Sequence, residues 1–366
     1  MSTVPDNSTA LDTNTAGTPI RFAVIGAGVI GRVHCRALTN LTGAAELVAI
    51  ADSHPDRAAT LAQDFGITHH TDDVTALLAR SDIDAVTICT PSGLHADLAV
   101  AALDAGKHVV IEKPIDISLA AADRIIDAEK RSGRTVTVIS QHRFDKSTEK
   151  VLEAVRAGNL GTITSAIASH AWWRGQTYYD SGDWRGTWAL DGGGAIMNQT
   201  VHTINLLVTA VGTPVEVFAH TACLAHERIE VEDTAAAVVK FASGALGIIH
   251  GTTAAYPGLD ASLRLFGSKG SAVISNDELT FFHENVGPAP EIKLSSGTGS
   301  NQVTADFALD PSDAGLGDAH QRQLADFIEA VQTGGRPRVG TGDARTSLAV
   351  ILALYQSART GLPVAL

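Results

Sequence analysis

Arg21-Phe22-Ala23-Val24-Ile25-Gly26-Ala27-Gly28-Val29-Ile30-Gly31 is the stretch that decides the fold of this 366-residue chain. Its first five residues are an apolar run of strand length, and a helical pattern follows through Leu38. Gly26, Gly28 and Gly31 keep the G-x-G-x-x-G spacing. The first glycine permits a tight turn out of the strand. The second lets the backbone approach a pyrophosphate, and the third lets the helix pack on the strand. The helix N-terminus then presents its positive end to the phosphates, with Val29 and Ile30 counted in the same loop. Such spacing alone is a weak signal, but here a strand precedes it and a helix follows. A second strand, 46–51, ends at Asp52, 21 residues beyond Gly31. A carboxylate there accepts hydrogen bonds from ribose hydroxyls and repels a 2′-phosphate. Ser53 and His54 follow it rather than Arg, so the expected cofactor is NAD and not NADP.

The alternation continues down the chain. Residues 85–89, 108–111 and 135–139 are short apolar strands, and 56–65, 73–80, 95–105 and 119–131 read as helices. Apolar strands separated by helices predict a parallel sheet covered on both faces. The pattern changes after residue 141. A helix at 147–157 precedes strand candidates at 162–171, 215–221, 234–241, 245–252, 262–266 and 271–274. Short turns such as Ala242-Ser243-Gly244 predict antiparallel pairing there. Further helices are expected at 194–211, 319–333 and 344–360. The expected fold class is α/β. It has an N-terminal Rossmann dinucleotide-binding domain at 19–141 and a C-terminal α/β domain at 142–366 with a broad, mainly antiparallel open sheet. Residues 1–18 read as a disordered tail, and 284–316, rich in Gly, Ser, Pro and Asp, as a long loop.

Composition excludes several partners. The 27 basic and 40 acidic residues give a net charge of −13, a poor match for nucleic acid or an anionic membrane. No run of about 18 apolar residues predicts a membrane span, and no signal peptide is read at the start, so a cytoplasmic location is expected. Cys35, Cys89 and Cys223 are too sparse for a disulfide framework, and no Cys/His spacing predicts a metal.

Further motifs fall in order. They are Thr90-Pro91-Ser92 with His95, Glu112-Lys113-Pro114, Arg143, Trp184-Arg185-Gly186-Thr187-Trp188, and the glycine-rich run from Gly192 through Asn198 to His202. At this spacing from the glycine loop, residues 20–366 resemble the glucose–fructose oxidoreductase, inositol dehydrogenase and MocA (Gfo/Idh/MocA) family. The resemblance implies oxidation or reduction of a secondary ring hydroxyl of a sugar, sugar derivative or cyclitol. It also implies a homodimer or homotetramer built on the open sheet. It marks Lys113 and His202 as catalytic and implies a cis Lys113–Pro114 bond. It adds Thr90, Pro91, His95, Glu112 and Lys113 to Gly26, Gly28, Val29, Ile30, Gly31 and Asp52 at the cofactor.

The residue types suit that chemistry. Alcohol oxidation removes a hydride from carbon and a proton from oxygen. An imidazole such as His202 titrates near operating pH, and the Lys113 ammonium can stabilise alkoxide character. Asn198 stands where many family members carry Asp, four residues before His202, and is read as orienting substrate. Arg143, Arg174, Trp184 and Arg185 are the other candidate substrate contacts. The aromatic-rich stretch 172–188 suits a core or a wall for a sugar ring equally. His170, His220 and His250 fall in strand candidates and are read as structural. Two other functions use the same residues. One is a redox-neutral glycoside hydrolase that oxidises a sugar transiently, eliminates the aglycone and re-reduces the ring. The other is an NAD-binding sensor without turnover, which the presence of both Lys113 and His202 disfavours. Asp52 sets the first test: NADH is expected to bind more tightly than NADPH in a fluorescence titration, and equal affinity would refute the reading of that carboxylate.

Overall fold

Strands β1 (Ile20–Ile25), β2 (Ala45–Ala51), β3 (His70–Thr71), β4 (Ala85–Ile88), β5 (His108–Ile111) and β6 (Val136–Val138) form a wholly parallel sheet in the order β3-β2-β1-β4-β5-β6. In this computed structural model, which describes residues 18–284 and 316–366, five helices connect them. These are α1 (Val29–Asn40), α2 (Pro55–Asp64), α3 (Val74–Leu78), α4 (His95–Asp104) and α5 (Leu119–Ser132). Helices cover both faces, so Val24, Val86, Ile88, Val109 and Ile111 are buried whichever way they point. The strand order reverses between β1 and β4. Ligands of doubly wound sheets bind at such a switch point, outside the carboxyl ends of the strands. The first sheet is therefore a Rossmann sheet. The expected tail, apart from residue 18, and nearly all of the expected loop at 284–316 lie outside the described residues.

The second domain opens with α6 (Lys146–Arg156) and β7 (Ile163–Ala171). A short helix, α7 (Gln176–Tyr179), and a π-helical turn at Ala195–Thr200 lead into α8 (Val201–Val211). Six strands follow: β8 (Pro214–Ala222), β9 (Thr234–Phe241), β10 (Leu246–Thr252), β11 (Ala261–Gly267), β12 (Gly270–Ser275) and β13 (Glu278–Glu284). Helices α9 (Leu316–Thr333) and α10 (Thr341–Thr360) and strand β14 (Val364–Ala365) close the chain. The eight strands run β13-β12-β11-β7-β10-β9-β8-β14, and among the described residues only β7 and β10 pair in parallel. Strict alternation separates the faces. Val217, Ala219, Ala237, Val239 and Ile249 are buried, whereas Phe218, Val238 and Ile248 stand in register and remain 37%, 49% and 47% exposed.

The last two helices do not keep to the second domain. Leu324, Phe327 and Ile328 of α9 share a core with Cys35 and Leu38 of α1, and Phe327 meets Phe22 of β1 at 6.2 Å between ring centres. The Thr341 hydroxyl at the start of α10 donates to Glu129 of α5 at 2.7 Å. The chain thus crosses back over the Rossmann sheet, which the strand-and-helix pattern along the sequence does not reveal.

The glycine loop divides its labour as its spacing predicts. Gly26 has a φ of +107°, and a Cβ there would lie 2.5 Å from the Cys89 carbonyl oxygen. A Cβ on Gly31 would lie 2.0 Å from the Gly26 carbonyl oxygen, whereas one on Gly28 would meet nothing within 4 Å. Gly31→Ala is therefore expected to cost about 1–3 kcal/mol of stability in urea unfolding, through forced separation of helix and strand. Gly28→Ala is expected to leave stability within about 0.5 kcal/mol and to weaken NADH binding instead. Equal destabilisation by the two would contradict this division.

Candidate active site

The rim of the Rossmann sheet carries the groups a dinucleotide needs. Asp52, at the end of β2, accepts the Ala27 N–H through Oδ2 at 2.7 Å and the His54 N–H through Oδ1 at 2.8 Å. These bonds tether the carboxylate to the glycine loop and leave lone pairs for a ribose diol. Val29, at the start of α1, is exposed. Thr90 follows β4, and its hydroxyl is buried with no hydrogen-bond partner among the described residues. Open space at Gly28, an orphaned hydroxyl at Thr90 and the Asp52 carboxylate together fit NAD.

Two residues assigned to the cofactor from sequence have buried side chains with protein partners. His95 is 1% exposed. Its ring lies between the Pro114 carbonyl, 2.8 Å from Nδ1, and the Thr90 carbonyl, 3.0 Å from Nε2. Glu112 is also buried, with Oε1 2.8 Å from His34 Nε2 and 3.5 Å from His320 Nε2. Its Oε2 accepts the Lys113 N–H at 3.1 Å. Burial would raise the Glu112 pKa, but the hydrogen bonds of His320 and His34 outweigh it and keep the carboxylate ionised. His95 and Glu112 therefore brace the turn that bears Lys113 from within. The Lys113–Pro114 bond is cis.

Lys113 reaches across to the second domain. Its ammonium donates to the Asn198 backbone oxygen at 2.9 Å and to Asn198 Oδ1 at 3.0 Å. The Asn198 amide nitrogen donates to Asp191 Oδ1 at 2.8 Å, and Asp191 Oδ2 accepts the Gly186 N–H at 2.8 Å. Each end of the Asn198 amide thus has a protein partner, Lys113 on the oxygen and Asp191 on the nitrogen. Asp191 is buried, and burial pushes its pKa up to about 6. Burial also lowers the Lys113 pKa, against the charges of Glu112 and Asp191.

His202 lines the same small cavity as Lys113. Burial, then the charges of His142 and Lys113, hold its pKa well below the usual imidazole value, so it is neutral and can accept a proton. His142 sits edge-on to it, 5.0 Å between ring centres. Nδ1 of His142 lies 2.9 Å from both Asp145 Oδ2 and Asp277 Oδ1. Burial lowers the His142 pKa, but these two carboxylates push it up to about 9. The donor atoms of His142, Asp145 and Asp277 lie within 4.8 Å of one another, as do those of His34, Glu112 and His320. Each group already contains a short imidazole–carboxylate contact, as an internally paired cluster should.

The glycine run explains how Asn198 and His202 come to this position. Glu232 accepts the Gly194 N–H at 3.0 Å, the Ile196 N–H at 2.9 Å and the Tyr355 hydroxyl at 2.9 Å. A Cβ on Gly194 would lie 1.8 Å from the Glu232 carbonyl oxygen, so only glycine allows the approach. The π-turn that follows replaces the uniform helix expected over 194–211. Wide turns of this kind recur at functional sites because they re-aim side chains.

Arg174 and Arg185 flank Lys113 closely enough for their charges to act on it. Arg185 donates to the Tyr178 hydroxyl at 2.8 Å and lies over the rings of Tyr178 and Trp184, 4.4 Å from each. Arg174 donates to Gln199 at 3.1 Å and lies over Trp172. Arg143 lies apart from these groups. Its Nη1 lies 3.2 Å from Asp343, and it lines a separate cleft with Arg156, Thr209 and Thr346 rather than the Lys113 cavity. Sequence reasoning missed Asp191 and His142, and it read His170 as structural. His170 is buried on Trp172 with both ring nitrogens lacking a hydrogen-bond partner among the described residues. Burial, then the charges of His142, Arg174 and Lys113, push its pKa down to about 3. The available signal for His142 was its place just past the carboxyl end of β6, and for Asp191 its place directly before the glycines.

A Rossmann sheet fitted for NAD, opening onto a lysine and a neutral histidine, defines an NAD-dependent oxidoreductase. The chain belongs to the Gfo/Idh/MocA family: residues 20–140 match the family's NAD-binding Rossmann fold, and 148–273 match a Gfo/Idh/MocA C-terminal domain. It is 29% identical over 342 residues to myo-inositol 2-dehydrogenase of Thermotoga maritima, covering 90% of this chain and 93% of that one. It is 31% identical to the WlbA dehydrogenase of Bordetella pertussis, solved with NADH and UDP-GlcNAcA. That match has a TM-score of 0.83 and covers 95% of this chain and 99% of that one. Levoglucosan dehydrogenase, solved with NADH and levoglucosan, shares the fold at a TM-score of 0.84 and 24% identity, with 95% and 99% covered. Among the described residues no helix is long and apolar enough to cross a membrane.

His142 generates a stability test. Its folded pKa lies above the unfolded value, so its contribution is complete below about pH 6.5 and is lost as pH rises through about 9. Thermal unfolding should show falling stability across that window, and His142→Asn should flatten the slope. A slope unchanged by the substitution would show that other groups cause it.

Proposed function

We propose that the protein oxidises, or reversibly reduces, a secondary ring hydroxyl of a sugar, sugar derivative or cyclitol, with Lys113 and His202 handling the proton. The observation that carries this reading is the shared cavity of Lys113 and His202, one group a donor-rich cation and the other a neutral base. The glycine loop, Asp52 and Thr90 would hold NAD, which would supply the hydride acceptor. His202 takes the hydroxyl proton, and the low pKa produced by its surroundings means that it returns that proton readily. The Lys113 ammonium stabilises negative charge on the substrate oxygen and, in the reverse direction, polarises a carbonyl. Arg174 and Arg185 offer donors to hydroxyls or an anionic substituent, and Trp184 offers a ring face. The names of the inositol dehydrogenase and WlbA relatives support a polyol or sugar-derivative substrate. A homodimer or homotetramer is part of the reading. The exposed row Phe218, Val238 and Ile248 supports it, because such an apolar face on an open sheet favours burial against another copy.

The test is an NAD-reduction screen over inositols, sugars, sugar acids, glycosides and nucleotide sugars, read by NADH absorbance and by mass spectrometry. NADH is expected to accumulate with one substrate class. Lys113→Met and His202→Gln are each expected to lower kcat about 10²–10⁴-fold while NADH still binds. Glycoside cleavage without NADH accumulation would replace this reading with the redox-neutral one. No turnover across the panel despite tight NAD binding would overturn it.

A further inference from the structure

We propose that Asp191 is a positioning residue for Lys113: its buried carboxylate sets which way the Asn198 amide faces and adds, through that amide, a second counter-charge to that of Glu112 for the ammonium. The proposal rests on the reading of Lys113 as the catalytic cation. The hydrogen-bond chemistry leaves one orientation. An ionised carboxylate only accepts, so the Asn198 NH₂ must face Asp191 Oδ1, 2.8 Å away. An ammonium only donates, so Asn198 Oδ1 must face Lys113 Nζ, 3.0 Å away. Removing Asp191 would remove the acceptor that holds the amide from behind.

Asp191 is not needed to hold the glycine turn. Glu232 accepts the Gly194 and Ile196 N–H groups, and Asp191 accepts one backbone N–H, that of Gly186. A carboxylate 1% exposed must be matched by donors or cations. The cations that act on it are Lys113 and Arg185. The charged groups acting on Lys113 are Glu112 from its own turn, Asp191 from the segment before the π-turn, and Arg185 and Arg174 from the aromatic-rich segment. Glu112 and Asp191 both favour the charged lysine, Glu112 the more strongly, but only Asp191 is linked to the ammonium by hydrogen bonds through the Asn198 side chain.

The experiment reads Lys113 directly and needs no substrate. Protein labelled with [6-13C]lysine is titrated by NMR, and the Lys113 signal is assigned by its absence in Lys113→Met. In Asp191→Asn the signal is expected to titrate about one pH unit lower than in the wild type. In Asp191→Asn/Asn198→Asp, which returns a carboxylate directly against Nζ, it is expected to recover to the wild-type value or above. An unmoved signal in the single variant, or no recovery in the double, overturns the proposal. If Asp191→Asn does not fold, Asn198→Ala cuts the same link, and an unmoved Lys113 signal there overturns it equally. With a substrate in hand, Asp191→Asn should lower kcat and shift its pH profile with little change in KM. Failure of the screen with the titration behaving as stated would count against the proposed reaction and not against this link.

Discussion

The bond between Lys113 and Asn198 is the constraint on which the site depends. Lys113 leaves the carboxyl edge of the parallel sheet, and Asn198 sits on the π-turn of the second domain. The contact joins the group nearest the cofactor rim to the helix that carries His202. In the proposed oxidation one alcohol loses both a proton and a hydride, so the groups that receive them are best held at fixed separation. Two domains joined only by a flexible linker would not hold it. Here α9 and α10 fold back and pack against α1 and α5, so the interdomain geometry is part of the core.

Carboxylates matched to donors support the elements of the site. Glu112 lies under the Lys113 turn with His34 and His320, Glu232 holds the π-turn, and Asp145 with Asp277 fixes His142 beside His202. Burial penalises the charges of Glu112 and Glu232; the imidazole bonds outweigh it at Glu112, whereas at Glu232 burial prevails over the N–H groups and pushes the pKa up to about 7. The arrangement also sets proton affinities by opposite means. His142 lies between two carboxylates and holds its proton, while burial, then the charges of His142 and Lys113, keep its ring neighbour His202 neutral. Two histidines 5.0 Å apart are thereby assigned different roles.

Much of the fold was legible in the chain. The glycine loop, Asp52 and the alternation of apolar strands with helices lead directly to a parallel sheet, because strand periodicity and glycine sterics act locally. The short turns after residue 141 likewise give the antiparallel pairs of the second sheet, but not its parallel pairing of β7 with β10. Side-chain directions were not legible in this way. His95, Glu112 and Arg143 all lie next to residues of the rim, yet the side chains of His95 and Glu112 turn inward to Pro114 and to His34, and that of Arg143 turns to Asp343 at the surface. Adjacency along a chain places a backbone at an edge and does not say which way a side chain points.

Backbone chemistry readable from the residue order therefore determined the two sheets, the NAD fingerprint and the presence of a lysine and a histidine suited to proton handling. Tertiary structure alone decided that Asp191 lies behind Asn198, that His142 pairs with Asp277 from a hairpin 135 residues away, and that His170 joins the same neighbourhood. The physical reason is one of range. Turns and strand periods are set by neighbours a few residues apart, whereas charge state and amide orientation are set by whichever groups folding brings within a few ångströms.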